Sequence, residues 1–129
     1  MSSDEKKRTE KQKLGAWGEE QACRWLKKQG WTIAARNVTT PFGEIDIIAR
    51  KRGCISFIEV KTRSSCVYGW PCQAVDRKKQ RRLWLSAEFF IKCNPWAASL
   101  QQQMDIIEIL VQEKGTYVRH LENAFSPQR

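Results

Sequence analysis

The stretch that most constrains the fold of this chain runs from residue 43 to residue 61. Two short apolar segments, 43–50 and 55–61, lie on either side of a basic turn that contains Gly53. This pattern predicts a β-hairpin. Each strand also carries an acidic residue, Asp46 in the first and Glu59 in the second. Because charged groups are rarely buried unless they are paired or bind a metal, the hairpin is also a candidate site.

The length of the turn decides which face of the hairpin each charged side chain takes. Side chains alternate along a strand, so Glu59 and Lys61 share a face. If residues 52–53 form a two-residue loop, Asp46 lies opposite Glu59, with the β-carbons roughly 4.5–5.5 Å apart. A three-residue loop, 51–53, would put Asp46 on the other face. In the first register the two carboxylates repel each other unless a divalent cation lies between them.

In that first register the side chains suit a metal centre. Asp46 and Glu59 supply the hard oxygen ligands that Mg²⁺ or Mn²⁺ accepts, and the carbonyl of Val60 is a candidate third ligand. The ammonium of Lys61 can hold an attacking water or stabilise charge that develops on a phosphate. Glu19, in a predicted helix, can add a carboxylate. The alternative is a structural ion pair between Lys61 and an acidic neighbour, and residue chemistry leaves both open.

Length and composition limit the class of protein. The 129 residues suffice for one domain, predicted to span 1–129 with residues 1–10 and 122–129 flexible. There is no apolar run that could span a bilayer and no signal-peptide core, so a cytoplasmic location is expected. Five cysteines without C-x-x-C spacing favour free thiols over disulfides or a zinc site. A multi-histidine metal site is excluded, because His120 is the only histidine.

The charge of the chain indicates a polyanionic partner. The net charge is +9, and residues 61–92 carry +6 of it, with eight basic and two acidic residues. The basic residues crowd the start of a predicted helix, where they repel one another unless an anion is close. A solvated helix face is the alternative. The residues of this helix predicted to contact backbone phosphates are Arg77, Lys78, Lys79, Arg81 and Arg82.

Periodicity and turn residues predict the remaining elements. In order, they are a helix over 10–29, a strand over 31–37, the hairpin strands, a helix over 76–92, and strands over 104–111 and 116–121. Asp76 is the expected N-cap of the second helix. A loop is predicted over 64–71, where Trp70 either stacks on a base or caps the core. This order predicts an α/β fold, with a mixed β-sheet flanked by helices.

The motifs of this chain resemble those of the YraN family of small bacterial proteins. That family is similar to Holliday-junction resolvases and belongs to the PD-(D/E)xK nuclease superfamily. The matching segments, as they stand here, are GAWGE at 15–19, GEIDIIA at 43–49, FIEVKTR at 57–63, AVD at 74–76 and KQRRL at 79–83. Order and spacing agree from about Leu14 to about Ile109. The resemblance implies a restriction-endonuclease-like fold with a mixed central sheet flanked by helices.

The resemblance also implies roles for individual residues. The residues it implies as catalytic are Glu19, Asp46, Glu59 and Lys61, and the superfamily's metal aspartate falls on Asp46. Residue chemistry, not the resemblance, adds the carbonyl of Val60 to Asp46 and Glu59 as a candidate ligand of Mg²⁺ or Mn²⁺. Arg63 and Gln80 fall within the matching motifs and join the predicted nucleic-acid contacts. One departure is visible. The family commonly has an arginine, an aromatic residue and an aspartate on the late strand, and this chain has Gln103, Met104 and Asp105, so the role of that arginine is absent or reassigned.

The resulting hypothesis is a Mg²⁺-dependent endonuclease that hydrolyses phosphodiester bonds of DNA, with branched DNA as a candidate substrate. The first alternative is a non-catalytic nucleic-acid-binding protein that retains the nuclease fold, and the second is a protein adaptor whose charge serves solubility. The acidic set favours the enzyme, because a pure binder gains nothing from carboxylates that face phosphates. DNA is the expected partner, RNA stays open and no membrane is expected. A homodimer is expected only from the resemblance to resolvases, which act on two symmetric strands.

Overall fold

The structure, a computed structural model, describes residues 9–63 and 76–126. Within these ranges the elements are α1 (Glu10–Lys28), β1 (Thr32–Thr40), β2 (Gly43–Lys51), β3 (Cys54–Arg63), α2 (Arg77–Cys93), a short 3-10 turn (Pro95–Ala97), β4 (Gln101–Gln112) and β5 (Gly115–Leu121). The loop predicted over 64–71, with Trp70, lies outside the described residues. Neither described helix combines the length and the apolar character that a membrane crossing requires.

The described strands form one mixed sheet in the order β1-β2-β3-β4-β5. Neighbouring strands are antiparallel except for β3 and β4, which run parallel. Parallel neighbours need a crossover connection, and the crossover here contains α2. The predicted α/β class, with a mixed sheet flanked by helices, is therefore confirmed. The arrangement is consistent with a restriction-endonuclease-like fold.

The two helices cover opposite faces of the sheet. Ile47 and its cross-strand partner Ile58 pack in the cluster formed with α1, whereas Ile48 and its partner Phe57 pack in the cluster formed with α2. Because successive side chains of a strand point to opposite faces, α1 and α2 must lie on opposite sides. The middle strands are thus buried on both faces, which explains why they read as nearly continuous apolar runs.

Local signals set the ends of the helices as predicted. Thr9 caps α1 in a capping box with Gln12, and Lys27 and Lys28 lie in the last turn. Asp76 caps α2, where its carboxylate accepts the Lys79 N–H at 2.8 Å. The three cysteines in the described ranges are all free thiols, as expected.

Two strands, β1 and β4, extend three residues beyond one of their predicted ends. β1 continues through Asn37 to Thr40, because Thr40 pairs with Gly43 across a two-residue turn. β4 begins at Gln101 instead of Met104, since residues 101–103 pair with the start of β3. A run of glutamines carries no strand periodicity, so this extension depends on pairing with a strand that is distant in sequence.

Candidate functional site

The turn between β2 and β3 has the two-residue length that the candidate site requires. Lys51 pairs with Cys54, so residues 52–53 form the loop. Arg52 takes a φ of 55°, which is uncommon for a residue other than glycine. Continuing the same register along both strands puts Asp46 opposite Glu59. The two-residue loop and its register are thereby confirmed as far as the pair of Ile47 with Ile58.

Asp46 lies where the pairing of β2 with β3 ends. The last pair is Ile47 with Ile58, and β3 then continues to Arg63 alongside β4. Beyond the last pair, the Val60 N–H donates to Oδ2 of Asp46 at 2.9 Å. Because the N–H and C=O of a strand residue point the same way, the Val60 carbonyl faces the same opening. The backbone of β3 therefore contributes to the site directly.

The alternation of side chains along β2 breaks around Asp46. Ile45 and Ile48 both pack on the α2 side, although residues three apart on a regular strand point to opposite faces. Ile47 packs on the α1 side. Asp46 lies close enough to Glu19 of α1 for the two carboxyl groups to shift each other's pKa, and it also lines a cavity on the α2 side.

That cavity, of about 200 Å³, opens between β2, β3 and α2. It is lined by Gly43, Glu44, Asp46, Glu59, Lys79, Arg82 and Leu83. Its strand wall is therefore acidic, and its helix wall presents two cations. Within the described ranges, neither Lys79 nor Arg82 has an acidic partner within 4.0 Å. The two cations therefore remain available to an anion that enters the cavity.

Burial and nearby carboxyl groups disfavour the ionised forms of Asp46 and Glu19. Burial raises the pKa of Asp46 to about 7, and the negative charges of Glu19 and Glu59 add to this effect, although the Val60 N–H opposes it. Burial also raises the pKa of Glu19, which the hydrogen bond with Asp46 and the charge of Arg36 partly offset. Adjacent carboxyl groups of this kind retain a proton near neutral pH unless a cation replaces it.

Glu19 reaches Asp46 because Gly18 lets α1 lie close to β3. A β-carbon at Gly18 would overlap the hydroxyl of Thr62, whereas one at Gly15 would meet no atom within 4 Å. Only the second glycine of the helical motif is therefore required by packing. In the Gly-Glu pair of the sequence, Gly18 thus permits the close contact between helix and sheet, and this contact brings the carboxylate of Glu19 near Asp46.

Lys61 lies beside Glu59, as strand alternation predicts. Its Nζ is 4.0 Å from Oε1 of Glu59, and the exposed fractions of the two side chains are 12% and 26%. This separation is an ion pair but too long for a hydrogen bond. Among the described residues the Lys61 ammonium has no closer carboxylate, so its donors are available to a water or a phosphate.

The predicted nucleic-acid contacts fall into two groups. Lys79 and Arg82, three residues apart on α2, line the cavity. The predicted contacts outside the cavity lining are Arg63, Arg77, Lys78, Gln80 and Arg81. Of these, Gln80 is half-buried and the others are exposed. The charge run alone does not distinguish the two groups, because the difference arises from how α2 packs on the sheet.

Sequence reasoning did not identify a buried network around Asp105. Its carboxylate accepts hydrogen bonds from the Ser56 hydroxyl at 2.7 Å, the Gln103 amide at 2.9 Å and the Asn123 N–H at 2.9 Å. Nε2 of His120 lies 2.8 Å from its Oδ2. Burial favours a raised pKa, but these hydrogen bonds, led by that of His120, outweigh it and lower the pKa of Asp105. The only sequence signal was an aspartate within an apolar strand.

Gln103 takes the position of the arginine that the family resemblance led us to expect. Its amide contacts both oxygens of Asp105 and also Oε1 of Glu122 at 3.3 Å. Asp105, His120 and Glu122 each place one potential ligand atom within 4.8 Å of the others. Because both Asp105 oxygens already accept hydrogen bonds, we interpret this network as structural.

Comparisons with known proteins place the chain in a family. The model of "Uncharacterised protein family UPF0102" matches residues 18–109, a range that includes every residue lining the cavity. A UPF0102 protein of Syntrophotalea carbinolica is 38% identical over 112 residues, which cover 87% of this chain and 90% of that protein. One from Caldicellulosiruptor saccharolyticus is 38% identical over 117 residues, covering 89% and 98%. Another, from Alkaliphilus oremlandii, is 40% identical over 114 residues, covering 88% and 97%. The chain therefore belongs to the UPF0102 family, the YraN family that its motifs resemble.

Proposed function

We propose that this chain is a metal-dependent endonuclease that hydrolyses phosphodiester bonds of DNA, with branched DNA as a candidate substrate. The observation that carries the proposal is the cavity in which Asp46 and Glu59 face Lys79 and Arg82. Carboxylates alone would repel a phosphate, and cations alone would bind one without chemistry. Both together suit a phosphate that binds alongside a divalent cation.

The donor set of the cavity fits Mg²⁺ or Mn²⁺. The carboxylates of Asp46 and Glu59 and the carbonyl of Val60 are hard oxygen donors, and Glu19 supplies one more. The raised pKa of Asp46 fits the same interpretation, because burial, together with the charges of Glu19 and Glu59, disfavours the ionised carboxyl and a bound cation would favour it. When bound, such a cation polarises a phosphoryl oxygen and lowers the pKa of a coordinated water.

The other chemical roles fall to basic side chains. Lys61, adjacent to Glu59, orients the attacking water or stabilises the charge that develops on the phosphate. Lys79 and Arg82 bind phosphate oxygens from the α2 side of the cavity. Contacts of this kind position a nucleic acid without reading its bases. We therefore expect cleavage that depends on the shape of the substrate and not on its sequence.

Cleavage of branched and linear DNA in Mg²⁺ or Mn²⁺ tests the proposal. The variants Asp46→Asn, Glu59→Gln and Lys61→Met are each expected to cleave at least about 100-fold more slowly than wild type. Glu20→Gln is the matched control, because Glu20 forms an ion pair with Arg36 at 2.9 Å and does not line the cavity. If wild type and all three site variants cleave equally, a contaminating nuclease is responsible and the proposal is wrong.

A non-catalytic nucleic-acid-binding protein is the second candidate. The exposed basic residues of α2 outside the cavity favour it, since they offer charge without catalytic groups. Salt-dependent DNA binding that persists in EDTA, without cleavage of any substrate, would support this candidate. Failure to bind any nucleic acid near physiological salt would instead support a protein adaptor.

A further inference from the structure

Phe42 presents an exposed aromatic ring next to the acidic cavity. It is the second residue of the two-residue turn between β1 and β2, which the Thr40–Gly43 pair closes. The exposed fraction of Phe42 is 45%. The two residues that follow it, Gly43 and Glu44, both line the cavity. Whatever chain passes over the cavity along β2 therefore meets this ring.

The turn that carries Phe42 is fixed to α2. The Thr40 hydroxyl accepts the N–H groups of Phe42 and Gly43 at 3.1 and 3.2 Å, and it lies 2.8 Å from the buried hydroxyl of Ser86. The Phe42 ring also makes a T-shaped contact with Phe89, with 6.5 Å between centroids. A ring held in this way loses little conformational entropy when it binds a ligand.

The distance from Phe42 to the carboxylates suits a bound strand of nucleic acid. Asp46 follows Phe42 by four residue steps of extended backbone, which correspond to about 13 Å. Stacked bases of one DNA strand follow one another every 3.4 Å or so, which places the ring within about four nucleotides of a phosphate in the cavity. Lys79 and Arg82 provide positive charge along the same path.

Packing alone does not account for the exposed part of Phe42. Trp96 is exposed to a similar extent, 44%, but the guanidinium of Arg50 lies 5.0 Å from the centre of its ring. Within residues 9–63 and 76–126 no cation lies over the ring of Phe42, and its aromatic contact is with Phe89 alone. As far as the described residues show, the ring therefore offers an unused π-face beside the cavity.

We propose that Phe42 stacks on an unpaired nucleobase close to the scissile phosphate. The site would then prefer nucleic acid with locally unpaired bases to continuous duplex, in which each base is already stacked and paired. Every base has a π-face, so the preference concerns pairing and not sequence. The inference rests on the proposed function for the position of the phosphate.

Fluorescence of 2-aminopurine in metal-free buffer with EDTA tests this proposal without cleavage. The analogue is placed in an unpaired stretch within an otherwise double-stranded oligonucleotide, and continuous duplex is the comparison substrate. Wild type is expected to bind the unpaired substrate more tightly and to quench the analogue. Phe42→Leu is expected to lose the quenching and to bind the unpaired substrate about 5- to 150-fold more weakly, the range that loss of one base–aromatic stack gives. Its affinity for duplex is expected to stay unchanged.

Matched variants separate stacking from folding. Phe42→Leu keeps apolar bulk against Phe89, and Phe42→Tyr keeps the ring and should behave as wild type. Trp96→Leu removes a similarly exposed aromatic near the opposite end of β2 and should change neither readout. The proposal is overturned if Phe42→Leu binds the unpaired substrate as wild type does, or if Trp96→Leu weakens it equally.

The two proposals fail in different ways. If wild type binds both substrates equally but cleaves DNA in a Lys61-dependent manner, the stacking inference fails and the nuclease stands. If the analogue is quenched in a Phe42-dependent manner but nothing is cleaved, stacking stands and the nuclease fails. Wild type that binds neither substrate in EDTA, and that neither binds nor cleaves DNA in Mg²⁺ or Mn²⁺, overturns both.

Discussion

Replacement of Asp46 by asparagine is expected to stabilise the metal-free protein at and above neutral pH. The amide keeps an oxygen for the Val60 N–H, and its nitrogen can donate to the neighbouring carboxyl of Glu19. What the replacement removes is a negative charge that the folded protein holds at a cost. Burial, together with the charges of Glu19 and Glu59, raises the pKa of Asp46 from 3.8 to about 7.

The direction of the effect follows from proton linkage. Below about pH 4, Asp46 is protonated in both the folded and the unfolded chain, so its raised pKa costs no stability. Between about pH 4 and pH 7 the unfolded chain releases the proton while the folded chain keeps it, and the free energy of unfolding falls as the pH rises. A shift of this size corresponds to at most about 4 kcal/mol, reached in full above pH 7. Because Glu19 shares the effect, we expect about 2 to 4 kcal/mol.

Chemical denaturation of wild type and Asp46→Asn in EDTA, from pH 4 to pH 8, measures this contribution. At each pH, the free energy of unfolding of wild type is subtracted from that of Asp46→Asn, so the contributions of titrating groups that behave alike in both proteins cancel. We expect the difference to grow in favour of Asp46→Asn by about 2 kcal/mol or more across this range. Saturating Mg²⁺ should reduce or reverse it, because the intact site gains more binding free energy than the variant. A difference that stays constant with pH would refute the conclusion that burial and neighbouring carboxyl groups disfavour ionised Asp46 in the folded protein.

Two further predictions concern packing and the buried network. Gly18→Ala should lower the free energy of unfolding by about 1 to 3 kcal/mol, because the new methyl group meets Thr62. Gly15→Ala should be neutral or stabilising by up to about 1 kcal/mol, and equal denaturation midpoints for the two variants would contradict the packing argument. Asp105→Asn should destabilise by about 3 kcal/mol at neutral pH, because it breaks a buried charged network. Since the pKa of Asp105 is lowered in the folded state, wild type loses this advantage as the pH falls through that lowered pKa, so denaturation near pH 3 should show a smaller gap.

The order of elements could be predicted because each element carries a local signal. The cap at Asp76 and the apolar periods of α1 and α2 depend on nearby residues, and the structure confirms them. The turn at 52–53 could not be settled in the same way. Gly53 at the third position of the basic turn also fitted a three-residue loop, and it is Arg52 that adopts the positive φ. Strand pairing decided the register, and pairing is not a local property.

The candidate site was predictable to the extent that its residues are close in sequence. Glu59 and Lys61 share a face by strand alternation alone. Placing Arg82 in the cavity and Arg81 outside it required the orientation of α2 on the sheet. The contact of Asp105 with His120 joins neighbouring strands, and no local pattern predicts it.

The end of β2–β3 pairing has a consequence for how this protein can vary. Val60 uses its side chain to pack against the α1 cluster and its N–H to hold Asp46. One residue thus packs against the hydrophobic core and also holds a carboxylate that lines the acidic cavity. A substitution that shifts the backbone there to improve packing also moves the carboxylate. The stability of the core and the geometry of the candidate site are therefore coupled through the backbone of β3. A backbone shift at Val60 changes the packing against α1 and the position of the Asp46 carboxylate together.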